Sequence, residues 1–485
     1  MQEKIGQINL LRHKGNSKRL NMRLGLIILF LLFNLSISDL ADAAMPSAPQ
    51  DFMLANKTTR EIHQHGITWT FAEPVEYGQF ANGDYWVLDS GAGVSIVQIE
   101  PLSTEISGRI MHGSMVNPSN SKNGYDSSIA QIQFDPSLNV GRPAGEELSV
   151  NNPLVIHDDS SLVSTRTHRD PAKRPQLVDA AVLTVLKTAP PSGSFRPPYA
   201  GNDKIPRWNI SDIKWHLLPR LPNSLISNQP DLELLASKIE RVWLDHGGGI
   251  WTGRYLHPSN NMPDYGRDMA NVTGDIALAL LFDFDRTTLT PLMISFLQLG
   301  IDWYGVTESM SNILEVSTQG GLWMGGGGHG HGRKWPIAFA GIMFNDTDIL
   351  KYADASVYPI FQEEQQFFYV TQADVDQQRY TVDGRPRVPY ASTMIGEAEW
   401  GEQHLNAPQR DGSNWDASYR DIVSKSIASH ALAATIMNTK GIWKWDSFFD
   451  YQDRWAKYRK ETGQTITYSS FADEVWATFR YHITQ

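Results

Sequence analysis

The sequence predicts a multidomain β + α protein, a β-sandwich-like domain followed by a domain of helices packed on one another. Three observations predict it. Residues 60–190 hold short stretches that alternate apolar and polar, broken by Gly, Pro and Asn. Beyond residue 226 the apolar residues recur at helical spacing. Pro190-Pro-Ser-Gly-Ser-Phe-Arg-Pro-Pro198 lies between them and has the composition of a linker. With 485 residues, 41% hydrophobic and 20% charged, the chain is long enough for two or three cores.

Residues 1–44 read as a signal peptide. An apolar run at 24–33 follows Lys18, Arg19 and Arg23 and precedes Ala41-Asp42-Ala43-Ala44. The run is too short for about 30 Å of hydrocarbon, so cleavage leaves no stable membrane insertion. Met22 is a second candidate start. An exported chain without cysteine suits a bacterial periplasm or secretion.

The β domain is expected over 45–190. Its strands are expected at 66–71, 84–88, 94–99, 127–134, 154–157, 161–166 and 180–188. The turn residues Asp89-Ser-Gly-Ala-Gly93 predict a hairpin between the second and third. A linker is expected over 191–225. Helices are expected over 226–485, at 232–244, 267–284, 290–304, 334–344, 415–437 and 447–458. Asn414 and Asp446 are the expected N-caps of the last two.

Composition narrows the function. The net charge is −11, and without residues 1–44 it is −14, from 36 basic and 50 acidic residues. That excludes a general nucleic-acid binder, which needs a basic surplus to neutralise phosphates. Absence of cysteine excludes thiolate nucleophiles and Cys-ligated metals. Thirteen of the 15 tryptophans lie from Trp208 to Trp476. Several sit in Gly-rich polar loops, where flat aromatics meet the apolar face of a sugar ring.

Three loops carry the candidate chemistry. The first, 320–336, holds Trp323, His329, His331, Arg333, Lys334 and Trp335 among eight glycines. It lacks the Gly-x4-Gly-Lys-Ser/Thr pattern of a phosphate loop. His329-x-His331 offers two imidazoles to a metal, with His246, His257 or a carboxylate to complete the shell. The reading that fits best is an anion-binding acid/base loop, with Arg333 gripping a carboxylate and imidazole moving a proton. The alternative is a Gly-rich helix entry whose histidines are structurally satisfied. The second loop holds Trp251, Arg254, Asp264, Tyr265, Arg267, Asp268 and Asn271, around a helix start that Asp268 can also simply complement. The third holds Glu397, Glu399, Trp400, Glu402 and His404, with Trp415 beyond it. A carboxyl against an aromatic wall tends toward a raised pKa.

An exported β domain followed by helices with Trp-, His-, Tyr- and Arg-bearing loops resembles the α/α-toroid carbohydrate-active enzymes, which include polysaccharide lyases and inverting glycosidases. The resemblance implies that the helical domain is an α/α toroid, a barrel of helical hairpins. In many toroid lyases the sheet follows the helices, whereas here it precedes them. In toroid lyases an Asn, His or Arg neutralises a uronate carboxylate, a Tyr or His removes the C5 proton, and a Tyr protonates the leaving oxygen. The resemblance places His329 or His331, Tyr265, Asn271 and Arg333 in such roles, with Glu399 as a further candidate. Trp251, Arg254, Arg267, Trp323, Lys334, Trp335, Trp400, His404 and Trp415 would line the substrate. The expected activity is β-elimination on an acidic, uronic-acid-containing polysaccharide or oligosaccharide, with no metal and no cofactor. Two alternatives stand beside it. One is an inverting hydrolase pairing Asp264 or Asp268 with Glu397 or Glu399 about 6.5–9.5 Å apart. The other is a glycan-binding protein without catalysis.

Overall fold

The computed structural model describes residues 57–480, apart from 120–121, 130–131, 143–144, 248–255, 259–265, 311–322, 324–327, 378–380, 383–384, 403, 406–411 and 416. The expected signal segment and the candidates Trp251, Arg254, Asp264 and Tyr265 lie outside the described residues. The described chain is mixed, a strongly curled half-barrel sheet and eleven α-helices among the described residues.

The sheet is built on β1 (Thr58–Gln64), β2 (Ile67–Gln79), β3 (Tyr85–Leu88), β4 (Val94–Glu100), β5 (Ser114–Val116), β6 (Leu154–Ile156), β7 (Ser160–Thr167) and β8 (Leu177–Leu186). Its order is β6-β4-β2-β3-β8-β7-β5, with β1 also on β2. A two-residue turn joins β1 to β2, with His65 at φ 49° and Gly66 at φ 72°. That left-handed pair matches the twist of the strands it connects. The expected hairpin between 84–88 and 94–99 does not form. Both strands pair instead with β2, which is 13 residues long. Thr68–Phe71 takes β4 and Tyr77–Gln79 takes β3. Asp89 redirects the connection by accepting the N–H groups of Gly91 and Gly93, each at 2.7 Å, and of Asp158 at 3.2 Å. Of the expected strand at 127–134, Gln133–Phe134 alone is one among the described residues.

β8 explains how the sheet meets the helices. It runs parallel to β3 and antiparallel to β7 and is buried along nearly its whole length. Ala181, Leu183 and Val185 join Trp69, Phe71, Val87 and Ile96 in one core. Ala180 and Val182 join the core that runs through the helices. A strand buried on both faces reads as a continuous apolar run, and Ala180-Ala-Val-Leu183 does so.

The helices are α1 (Leu232–Lys238), α2 (Gly266–Ala279), α3 (Arg286–Ser309), α4 (Lys334–Phe344), α5 (Thr347–Leu350), α6 (Gln362–Gln366), α7 (Gln372–Asp376), α8 (Ser418–Ile436), α9 (Lys440–Trp443), α10 (Asp446–Glu461) and α11 (Ser470–Phe479). α1 ends six residues before its expected end; the Trp243 indole N–H caps it by donating to the Lys238 carbonyl at 3.0 Å. Asp446 begins α10 rather than capping it, and Ala417 rather than Asn414 precedes α8. Among the described residues no helix is long and apolar enough to cross a membrane.

Within the stretch expected as linker, Phe195, Arg196, Tyr199 and Ala200 are buried. Arg196 ties three parts of the chain together. Its Nε donates to Asp84 at 2.5 Å, and its terminal nitrogens donate to Asp302 of α3 at 2.9 and 2.6 Å. Its backbone exchanges hydrogen bonds with the Gln298 amide, both at 3.1 Å. Burial disfavours the charge, yet Asp302 and Asp84 outweigh it and hold the guanidinium protonated. Replacing Arg196 with Met would leave two buried carboxylates facing each other. Arg196→Met is expected to lower unfolding free energy by about 3–5 kcal/mol, read from urea denaturation.

Candidate functional site

The Gly-rich loop enters α4 across the start of α2, and two glycines permit the contact. A Cβ on Gly266 would lie 2.3 Å from the His329 carbonyl oxygen. Gly332 has φ +84°, and its Cβ would lie 2.7 Å from the Ala270 Cα. His329, His331, Arg333 and Lys334 are therefore drawn inside, and all four are buried.

Burial settles what the two cations do. Arg333 Nε donates to Asp245 at 2.8 Å; one terminal nitrogen donates to the carbonyls of His329 and His331 at 3.0 and 2.6 Å, and the other lies 3.2 Å from the Met269 sulfur. The expected open fork for a substrate carboxylate is thus occupied by the protein itself. Lys334 pairs with Glu364, both side chains fully buried, and lies over the rings of Trp443 at 4.9 Å and Phe361 at 5.6 Å. It too meets protein, not solvent.

The partner elements include a helix that composition hides. Gln362-Glu-Glu-Gln-Gln366 forms α6, and all five residues are buried. The Gln362 carbonyl oxygen of the side chain accepts the Gly330 N–H at 2.7 Å. Glu364 pairs with Lys334, while Glu363 has no ion-pair partner of its own among the described residues. Burial, then the neighbouring Glu364, pushes the Glu363 carboxyl well above the usual carboxylate range, and burial raises Glu364 as well; the backbone N–H groups of Glu363 and Gly332 and the charge of Lys334 oppose the Glu363 shift only in part. His331 has the opposite shift. Burial first, with the charge of Arg333 added, drives it down to about 3 against the hydrogen bond its ring makes to the Gln366 amide oxygen. His430 on α8, 3.0 Å from the Thr273 hydroxyl, and His246, 3.3 Å from the Tyr199 hydroxyl, are lowered to about 3 by burial as well.

At neutral pH the centre therefore combines uncharged imidazoles with a protonated carboxyl, while its fixed charges are matched in pairs.

The third loop reaches this centre through one residue and departs from it through the next. The Trp400 indole N–H donates to Gln366 Oε1 at 3.1 Å, and His331 Nε2 lies 3.2 Å from the same oxygen. Glu399, its strand neighbour, faces away. It pairs with Arg420 and Arg454, each at 2.9 Å, in a separate buried cluster. There Trp415 is stacked against Tyr451 and Tyr458, with Arg420 3.7 Å from its ring centre. Glu397 also pairs with Arg454, at 3.0 Å.

The remaining aromatic candidates are packed rather than displayed. Trp335 is fully buried and stacked on Trp443, and Trp323 is stacked on Phe361 at 5.2 Å. His404 stacks on Phe368 and lies 3.7 Å from Asp374. Asn271 is half-buried on α2. Arg267 lies 3.3 Å from Asp268 and 5.5 Å from the Tyr468 ring centre. Among the described residues no group of three His, Asp or Glu side chains is arranged to hold a metal, so the His329-x-His331 metal reading lacks its third ligand there. Asp245, Thr273, Glu363, Glu364, Gln366 and His430 were not singled out by sequence. The one signal for α6 is its flanks, Ile360-Phe361 and Phe367-Phe368.

No protein-family model matches the chain, and neither a curated protein nor a solved structure matches it.

The shifted histidines set a pH dependence. Their folded pKa near 3 lies below the ordinary 6.5, so unfolding takes up a proton at each between those values. The stability they contribute is complete above pH 6.5 and is lost as pH falls toward 3. Urea unfolding of the native chain and of His430→Gln, compared from pH 7 to 4, is expected to show the native chain losing about 1.4 kcal/mol more per pH unit below 6.5.

Proposed function

We propose that this chain is an exported polysaccharide lyase that cleaves an acidic, uronic-acid-containing glycan by β-elimination at the centre around Gly332. The observation that carries the reading is the juxtaposition at Gly332 of a neutral imidazole, His331, and a buried protonated carboxyl, Glu363. Elimination needs that pair. A base takes the C5 proton, the electron pair forms the C4–C5 double bond, and the C4–O bond breaks. The leaving oxygen then takes the proton of a neutral acid. His331 supplies the first role and Glu363 the second.

His329, in the same loop, is the second imidazole of the centre. Asn271, on the helix under the loop, is the candidate for the uronate carboxylate, whose charge must be offset as the C5 proton leaves. Trp400 acts through Gln366. The reading carries with it an α/α toroid for the helices and a sandwich-like β region. It is preferred over an inverting hydrolase because Glu397 and Glu399 are committed to arginines. It is preferred over a glycan-binding protein because Trp323, Trp335 and Trp415 have their faces covered.

The test is incubation with a panel of uronic-acid polymers while following the ultraviolet absorbance of the unsaturated uronate end. Product is expected with the native chain, and Glu363→Gln and His331→Gln are each expected to slow it by about 10²–10⁴-fold. Cleavage without that band would contradict elimination. Binding without any cleavage would contradict an enzyme.

A further inference from the structure

His331 is buried, and one of its ring nitrogens, Nδ1, has no hydrogen-bond partner. Which nitrogen carries the proton in the neutral ring follows from donor and acceptor chemistry two residues away. An indole N–H can only donate and a backbone carbonyl can only accept. The Trp400 indole N–H meets Gln366 at 3.1 Å, so the atom it meets is the amide oxygen. The Glu402 carbonyl meets Gln366 at 2.7 Å, so the atom facing it is the amide nitrogen. These two contacts, on opposite ends of one amide, fix its orientation without appeal to the histidine.

The amide oxygen then lies 3.2 Å from His331 Nε2, and an oxygen of this kind only accepts. Nε2 must carry the hydrogen. A neutral imidazole has one, so Nδ1 holds a bare lone pair. A buried acceptor left open is uncommon and calls for a reason. Burial first, then the charge of Arg333 and the neighbouring His430 and His329, disfavour a second proton on the ring.

We propose that Gln366 is the positioning residue of this centre, holding His331 as the Nε2–H tautomer so that Nδ1 is the atom that accepts the substrate proton. The role of Nδ1 as acceptor rests on the lyase reading; the tautomer does not. Trp400 is the residue that keeps Gln366 in its orientation, which gives the third loop a part in the centre although Trp400 itself stays buried.

The experiment uses the full chain labelled with ¹⁵N-histidine. Long-range ¹H–¹⁵N spectra at neutral pH report which ring nitrogen is protonated, and His331 is assigned by the signal lost in His331→Gln. The expected result is an Nε2–H, Nδ1-bare ring. A native spectrum with the proton on Nδ1 overturns the proposal, and needs no variant to fold. Gln366→Met removes the acceptor while keeping the shape. It is expected to mix or invert the tautomer and to lower kcat about tenfold or more on a uronic-acid polymer, with KM little changed. Trp400→Phe, which frees the amide to turn, is expected to fall between the two in both readouts. An unchanged tautomer in Gln366→Met overturns the positioning role. The native tautomer together with its loss in Gln366→Met, but no unsaturated product from any polymer, would confirm Gln366 as the tautomer's determinant and overturn the acceptor role together with the lyase reading.

Discussion

Arg196 lies where the β2–β3 turn, the Pro-rich segment and α3 meet, and its guanidinium finds Asp84 on one side and Asp302 on the other. The same demand recurs across the interior. Arg333 is matched by Asp245, Lys334 by Glu364, and Glu399 by Arg420 and Arg454. A buried charge without its counter-charge costs several kcal/mol, so each pair constrains where two distant segments can lie. Asp245 lies well before the Gly-rich loop in sequence, and Glu364 lies beyond it; the loop is gripped from both directions. The Gly266 and Gly332 contacts decide how closely it can settle on α2.

Against that background the unmatched groups stand out. Glu363 sits next to Glu364 in one short helix, but Lys334 answers Glu364 only. The second carboxyl of a buried adjacent pair is relieved by keeping its proton. His331 and His430 are relieved in the opposite way, by giving theirs up. One region thus holds a buried carboxyl that favours its proton and buried imidazoles that do not. The cations first suspected of meeting substrate make this possible by holding the scaffold, and Arg333 adds to the field that keeps His331 neutral.

Much of the local structure was legible in the sequence, because local pattern follows from which face is buried. Alternation over Ile67–Phe71 and the apolar run of β8 marked strands, and α4 begins and ends at the bounds its periodicity predicts. Pairing was not legible. The Asp89–Gly93 turn signal is real, but the 13-residue β2 captures both flanking strands. Segments whose burial depends on distant charges were the least legible. Arg196 stands in a stretch that composition calls linker, and α6 is a run of five polar residues that composition calls exposed. The Gly-rich loop is legible in the sequence as a cluster of titratable residues, but the burial of His331 within it is not. Glu363 of α6 was missed because no sequence feature says that Lys334 will pair with one of two adjacent glutamates rather than both. Glu399 drew notice for sitting beside an aromatic, whereas strand alternation turns it to the opposite side from Trp400.

The central claim is that Glu363 holds its proton at neutral pH beside a neutral His331. Infrared difference spectroscopy between the native chain and Glu363→Gln reads this directly, through the carbonyl stretch that only a protonated carboxyl has. A band present at pH 7 in the native chain, absent in the variant and disappearing only as pH rises well above the usual carboxylate range, is the predicted result. A difference spectrum showing the carboxylate bands of an ionised Glu363 at pH 7 would contradict the account.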